Sequence, residues 1–192
     1  MLKDLIKKNR SYRNYDRSVP VTREMLLEMV DCARQTPASM SIQPLKYYLI
    51  TDEDECKTVL TNIKYAASLP DYSFPYDGKE APAYILICQD TDVNSNPERF
   101  LKDVGIVAQT ITLAATEMGL GCCMIGNYSN DKLKEKLGLD DKFIIQLVIS
   151  LGGRGEDIRL IDAKEGDSVM YYRSEDDVHY APKRMLTDVI IK

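Results

Sequence analysis

DVGIVAQTITLAATEMGLGCCMIGNY, residues 103–128, is the stretch from which the fold can be read. Between Val104 and Met118 only Gly105 interrupts a helical composition. The apolar residues Val104, Ile106, Val107, Ala108, Ile111, Leu113, Ala114, Ala115 and Met118 cover more than one face. A surface helix carries a single apolar stripe about 100° wide, so this pattern predicts a helix packed on several sides, with another subunit a candidate for one of them. Taking Pro97 as the start signal and Gly119 as the stop gives a helix of about 20 residues and about 30 Å. Gly119, Leu120 and Gly121 then turn the chain into Cys122 to Ile125, an apolar run of strand type that ends at Gly126-Asn127.

Working outward, Ala83 to Cys88 (AYILIC) and Phe143 to Leu151 (FIIQLVISL) are nearly continuous apolar runs, as expected of strands buried on both faces. Tyr47 to Thr51 reads as a fourth strand. Helices are expected at Leu2 to Lys8, at Thr22 to Gln35 with Thr22 as N-cap, at Glu53 to Ala67, and at Asn130 to Leu137 closed by Gly138. The class is α+β or α/β, a sheet covered by helices. Asp71 to Tyr76 forms an aromatic loop, either a lid or surface packing. The tail beyond Gly153 is polar, yet it closes in Val189-Ile190-Ile191, which is expected to dock, with a subunit boundary as one candidate place.

At 192 residues and 44% hydrophobic composition, one domain spanning 1–192 is expected. No apolar run is long enough for a bilayer, and MLKDLIKKNR lacks the core of a signal peptide, so a cytoplasmic protein without membrane partners is expected. A net charge of −5 provides no footprint for nucleic acid. Any bound anion must therefore be held by a local cation cluster. Five irregularly spaced cysteines without CxxC favour reduced thiols over disulfides or zinc, and no metal site is expected. The single histidine, His179, lies in a polar stretch and reads as surface. GxSxG, Walker and GxGxxG signatures are absent. If the protein is an enzyme, a cofactor carries its chemistry.

Four segments carry a resemblance: Arg10-Ser11-Tyr12-Arg13, the Pro37 to Pro44 loop, the 103–128 stretch, and Pro182-Lys183-Arg184. In this order and spacing the chain resembles the nitroreductase family of FMN-dependent oxidoreductases over almost its full length. The resemblance implies a three-layer α+β sandwich with a mostly antiparallel central sheet, intertwined into a homodimer with FMN at the subunit interface. By that resemblance Arg10, Ser11 and Arg13 hold the FMN phosphate and the edge of the ring. Pro37, Ala38, Ser39, Met40, Ser41 and Gln43 come from the other subunit, Met124, Ile125 and Gly126 lie along the isoalloxazine, and Lys183 or Arg184 meets the phosphate. The chain departs from the family pattern at Asn9, where Arg is common, at Ser41, where Asn is common, and in the order Ala38-Ser39. The short interval between Asp90 and Asp103 leaves little room for a helical lid.

The implied activity is hydride transfer from NADH or NADPH, through flavin, to a small acceptor such as a nitroaromatic or quinone in a ping-pong cycle. Reductive dehalogenation, enone reduction, and a flavin-binding redox sensor or storage module are the alternatives.

Overall fold

The two apolar runs at 83–90 and 143–154 pair with each other as the centre of a sheet. The computed structural model describes residues 1–192. In chain order the elements are α1 (Leu2–Lys8), β1 (Tyr15–Asp16), α2 (Arg23–Arg34), β2 (Leu45–Ile50), α3 (Glu53–Leu60), β3 (Ala83–Asp90), α4 (Leu101–Glu117), β4 (Gly121–Ile125), α5 (Asn130–Leu137), β5 (Phe143–Arg154), β6 (Ile158–Ala163), β7 (Tyr172–Arg173) and β8 (His179–Arg184). Strands β1, β3 and β4 all pair antiparallel with β5, and β2 pairs antiparallel with β3.

Every residue of β3 is buried, and its two faces feed two cores. Tyr84, Leu86 and Cys88 pack with Val59 of α3 and Leu133 of α5. Ala83, Ile85 and Ile87 pack with Leu26 and Met29 of α2 and Val107 and Ile111 of α4. A strand with a two-residue period and helices on both sides needs apolar side chains at every position. The result is the expected three-layer α+β sandwich, and it splits the adjacent cysteines: Cys122 belongs to the α2/α4 core, Cys123 to the other.

Helix α4 is shorter than expected, 17 residues or about 26 Å. It begins at Leu101 because residues 96–100 are spent in turns. Gly119 at φ +85° ends it, with Leu120 N–H donating to Ala115 O and Gly119 N–H to Thr116 O. This pairing satisfies the last carbonyls and requires the left-handed residue that glycine supplies. One stripe of α4, from Asp103 to Thr116, is buried on the sheet and α2. Its other face, with Leu101, Gly105, Ile106 and Gln109, is exposed on this chain.

Two readings are corrected. Helix α3 ends at Leu60 instead of Ala67, because Asn62 donates its side-chain amide back to Thr58 O while Lys64 N–H goes to Asn127 O. The tail, read only as polar with no strand assigned, contains a second sheet, β6-β8-β7, in which β6 and β8 run parallel. Its two longer strands, IRLIDA and HYAPKR, are broken by charged residues and a proline and leave no continuous apolar run to read. The terminal Leu186, Val189, Ile190 and Ile191 are exposed on this chain, so the expected docking would have to be made across a subunit boundary. No helix is long and apolar enough to cross a membrane.

Candidate functional site

Helix α1 ends at Asn9, and the chain then runs beside β4: Ser11 bridges Cys122, and Tyr12 N–H donates to Cys122 O at 2.9 Å. That pairing brings an N-terminal motif to a strand more than a hundred residues away. The groove it forms, of about 310 Å³, is lined by Asn9, Arg10, Ser11, Thr112, Met124 and Lys183 among others. Lys183 arrives from β8. Strand alternation turns the neighbouring Arg184 elsewhere, so of the two expected cations Lys183 alone lines this groove.

Arg10 Nη2 donates to Ile6 O at 2.7 Å, while its Nε is buried without a partner. Burial pulls the Arg10 guanidinium below its ordinary pKa, and the nearby Tyr12 and Cys122 oppose that shift. Asn9 Nδ2 donates to Thr112 Oγ1 at 3.0 Å, and the Cys122 thiol points to Asn9 Oδ1 at 3.6 Å. Met124 is 38% exposed at the groove, whereas the Ile125 side chain points into the core, correcting its expected place along a ligand. Ile125 can offer a ligand only its backbone. Gly126 is exposed just beyond it. Burial pushes the Cys122 and Cys123 thiols up to about 12 and about 11, so neither is a thiolate at neutral pH.

The second group of expected residues lies elsewhere on the same chain. Pro37, Ala38 and Gln43 line a smaller cavity of about 170 Å³ with Asp103 at the start of α4. Thr112, which lines the groove, is nine residues further along that helix, about 13 Å away along its axis. Ser39 N–H and Oγ–H both donate to the Asp103 carboxylate, at 2.8 and 2.5 Å. Met40, 73% exposed, Ser41 and Gln43 hold left-handed backbone angles of +53°, +55° and +51°. One chain therefore presents the expected site in two separate parts.

Arg13 does not line the groove. Its guanidinium is buried beneath Tyr171, 4.9 Å from the ring centre, with Nη1 3.1 Å from Ser11 O and 3.3 Å from His179 Nε2. Sequence reasoning missed the reason, a buried cluster around Glu156. Its carboxylate accepts from the Arg13 and Asn14 backbone N–H groups and from Arg173 Nη2. The aromatic loop joins the same cluster. Tyr72, Phe74 and Tyr76 stack successively at 5.9 and 5.5 Å, and the Arg173 guanidinium lies 4.9 Å over Phe74. These rings pack on the second sheet, and Tyr171 packs on Arg13. Only an acid three residues beyond Gly-Gly hinted at Glu156.

His179, expected at the surface, is 3% exposed. Desolvation first, then the positive charges of Arg13 and Arg173, pull its pKa down to about 4. Since Arg13 donates, Nε2 is an acceptor and the ring is neutral. The unfolded chain takes up a proton near pH 6.5 that the folded chain refuses until about 4. The stability this histidine contributes is thus present above pH 6.5 and is lost as pH falls toward 4. Between pH 7 and pH 5 it accounts for about 2 kcal/mol, so urea unfolding of His179→Gln should show a pH slope flatter by that amount. An unchanged slope would mean the ring protonates freely in the fold.

Comparison with known proteins agrees with this architecture. The sequence model of the nitroreductase family matches residues 6–153. A protein of Methanothermobacter thermautotrophicus named "Putative NADH dehydrogenase/NAD(P)H nitroreductase" is 29% identical over 126 residues, covering 65% of this chain and 60% of that one. An FMN-dependent nitroreductase of Clostridium difficile R20291 superposes with a TM-score of 0.63 at 25% identity, covering 80% of this chain and 87% of its own. A nitroreductase family protein of Streptococcus pneumoniae TIGR4 shares the fold over 100% of both chains, with a TM-score of 0.71 at 17% identity. With a match across most of its length and the same three-layer fold, this chain belongs to the nitroreductase family.

Proposed function

We propose that the chain is a homodimeric FMN-dependent oxidoreductase that uses NADH or NADPH to reduce a small acceptor such as a nitroaromatic or quinone, with residues 1–192 acting as one domain. The observation that carries this reading is the groove at Arg10. A buried, unpartnered guanidinium nitrogen, a second cation at Lys183 and the Ser11 hydroxyl converge beside an exposed apolar Met124. In an acidic protein, this is a donor set for a phosphate joined to an apolar body. The residues fit FMN, and the FMN-dependent Clostridium difficile relative supports it.

When bound, FMN supplies reversible two-electron chemistry that side chains cannot. The chain's part is to bind and to orient. Arg10, Ser11 and Lys183 would hold the phosphate, and Met124 would offer apolar surface to the ring. Cys122 and Cys123, held as protonated thiols, take no electrons.

Dimerisation follows from what one chain leaves uncovered. The outer face of α4 with Leu101 and Ile106, and the exposed tail from Leu186 to Ile191, are apolar. A second copy would cover them and bring its Pro37–Gln43 loop to the groove. The test is direct: the purified protein should be a yellow dimer by sedimentation, release FMN on denaturation, and oxidise NAD(P)H with a nitroaromatic or quinone in ping-pong kinetics. Colourless protein that takes up no FMN at micromolar concentrations would overturn the reading. Halide release from a halogenated substrate would redirect it to dehalogenation, and negligible turnover with both nicotinamides to a sensor or storage role.

A further inference from the structure

The Pro37–Gln43 loop is held in a conformation its residues do not favour. Met40, Ser41 and Gln43 are all left-handed, a region that L residues other than glycine, Asn and Asp rarely adopt. Three such residues within four positions persist only where surrounding contacts over-determine them. At one end Pro44 O accepts from Asp90 N–H at 2.9 Å, tying the loop to the end of β3. At the other end Asp103 anchors the loop, its two carboxylate oxygens accepting from Ser39 N–H and Ser39 Oγ–H, while Arg99 Nη2 makes a longer 3.6 Å contact to Met40 Sδ.

Asp103 is 3% exposed, and no lysine or arginine lies within ion-pairing distance of it. A buried carboxylate without a cation is costly. Favourable placement in the first turn of α4 offsets part of that cost, but an exposed acid there would do as much for the helix. What burial adds is a rigid double acceptor aimed at one residue of a strained loop. Met40 is largely exposed, and Gln43 Nε2 is folded back on Ser41 O at 3.3 Å.

We infer that Asp103 is a positioning residue: it fixes the Pro37–Gln43 loop in the shape with which one subunit meets the flavin held in the Arg10 groove of the other. This inference rests on the function proposed above. It assigns to a residue that touches no ligand the pre-organisation of the half-site contributed across the dimer. A loop already in its bound shape costs less to order on binding.

The experiment titrates the apo dimer with FMN, following flavin fluorescence, and measures amide hydrogen exchange over residues 38–43. Asp103→Asn keeps one acceptor and loses the other together with the charge. It should raise the FMN Kd about tenfold and speed exchange in the loop, while exchange at Tyr12 and β4, which form the groove, stays at the parent level. Ser39→Ala removes only the hydroxyl bond and should raise the Kd about threefold. Adding it to Asp103→Asn should cost less than the product of the two single effects, since both act on one contact. If Asp103→Asn does not fold, Ser39→Ala decides: a rise in Kd supports the inference, and parent affinity overturns it. Parent-level FMN affinity in both variants would leave Asp103 as a helix-start acid and overturn the inference while the flavin reading stands. A parent protein that binds no FMN would overturn both.

Discussion

Glu156→Gln should cost about 3 kcal/mol or more of folding stability, although Glu156 touches neither the groove nor the loop that would meet a ligand. The side chains of Glu156 and Arg173 are 2% and 0% exposed, so solvent does not screen the pair. Removing one partner of such a pair leaves a buried charge behind, which is worth more than the pair contributes when intact. Arg173 keeps Asp177, to which Nη1 donates at 2.6 Å, but that carboxylate is half exposed and screened. Against a usual total of 5–15 kcal/mol, the loss is a large fraction.

The companion variant separates two roles of the same side chain. Gln can still accept from the Arg13 N–H, whereas Glu156→Leu cannot and leaves the Arg13 and Asn14 N–H groups buried and unpaired. Glu156→Leu with Arg173→Met removes the ion pair as a unit and should still lie about 1–3 kcal/mol below the parent because of those backbone groups. Equilibrium urea unfolding measures each. A Glu156→Gln protein within 1 kcal/mol of the parent would show that the cluster is hydrated and the pair worth little.

Arg10→Ala combined with Lys183→Ala should weaken FMN binding by on the order of a hundred- to a thousandfold, as expected from two charge-assisted phosphate contacts. Riboflavin, which has no phosphate, supplies the control: its affinity should be nearly the same for parent and double variant. The parent's FMN affinity should also fall with added salt, and the variant's should fall less. The oligomeric state should not change, since neither residue lies on the exposed apolar face of α4. Equal FMN affinity in parent and double variant would remove the phosphate from this groove. Equal losses for FMN and riboflavin would show that the substitutions disturbed the fold and not a phosphate contact.

The parts of the fold that follow local periodicity were legible in the sequence. Continuous apolar runs identified β3 and β5 as doubly buried strands, and the wide apolar cover of 104–118 identified α4 as a helix with more than one partner. Gly119 marked its end. Each reading rests on residues a few positions apart, because hydrophobic burial repeats with the period of the element that makes it. The membership of Arg10, Ser11, Met124 and Lys183 in one groove was inferred from motif resemblance, and the structure brings those four together.

Tertiary structure alone decided that Arg13 turns into a buried cluster, that His179 is a neutral interior ring, that Ile125 belongs to the core and that Asp103 clamps a strained loop. Arg13 lies 143 positions from Glu156 and 166 from His179, and Asp103 lies 64 from Ser39. Hydrogen bonds and ion pairs across such separations leave no period in the chain. An arginine that will be buried and one that will face a ligand look alike in sequence, and only the packing of the second sheet over residues 10–15 separates Arg13 from Arg10. What the amino-acid order determined by itself is where apolar surface must be hidden; which charges are hidden with it depends on which distant segments that burial brings into contact.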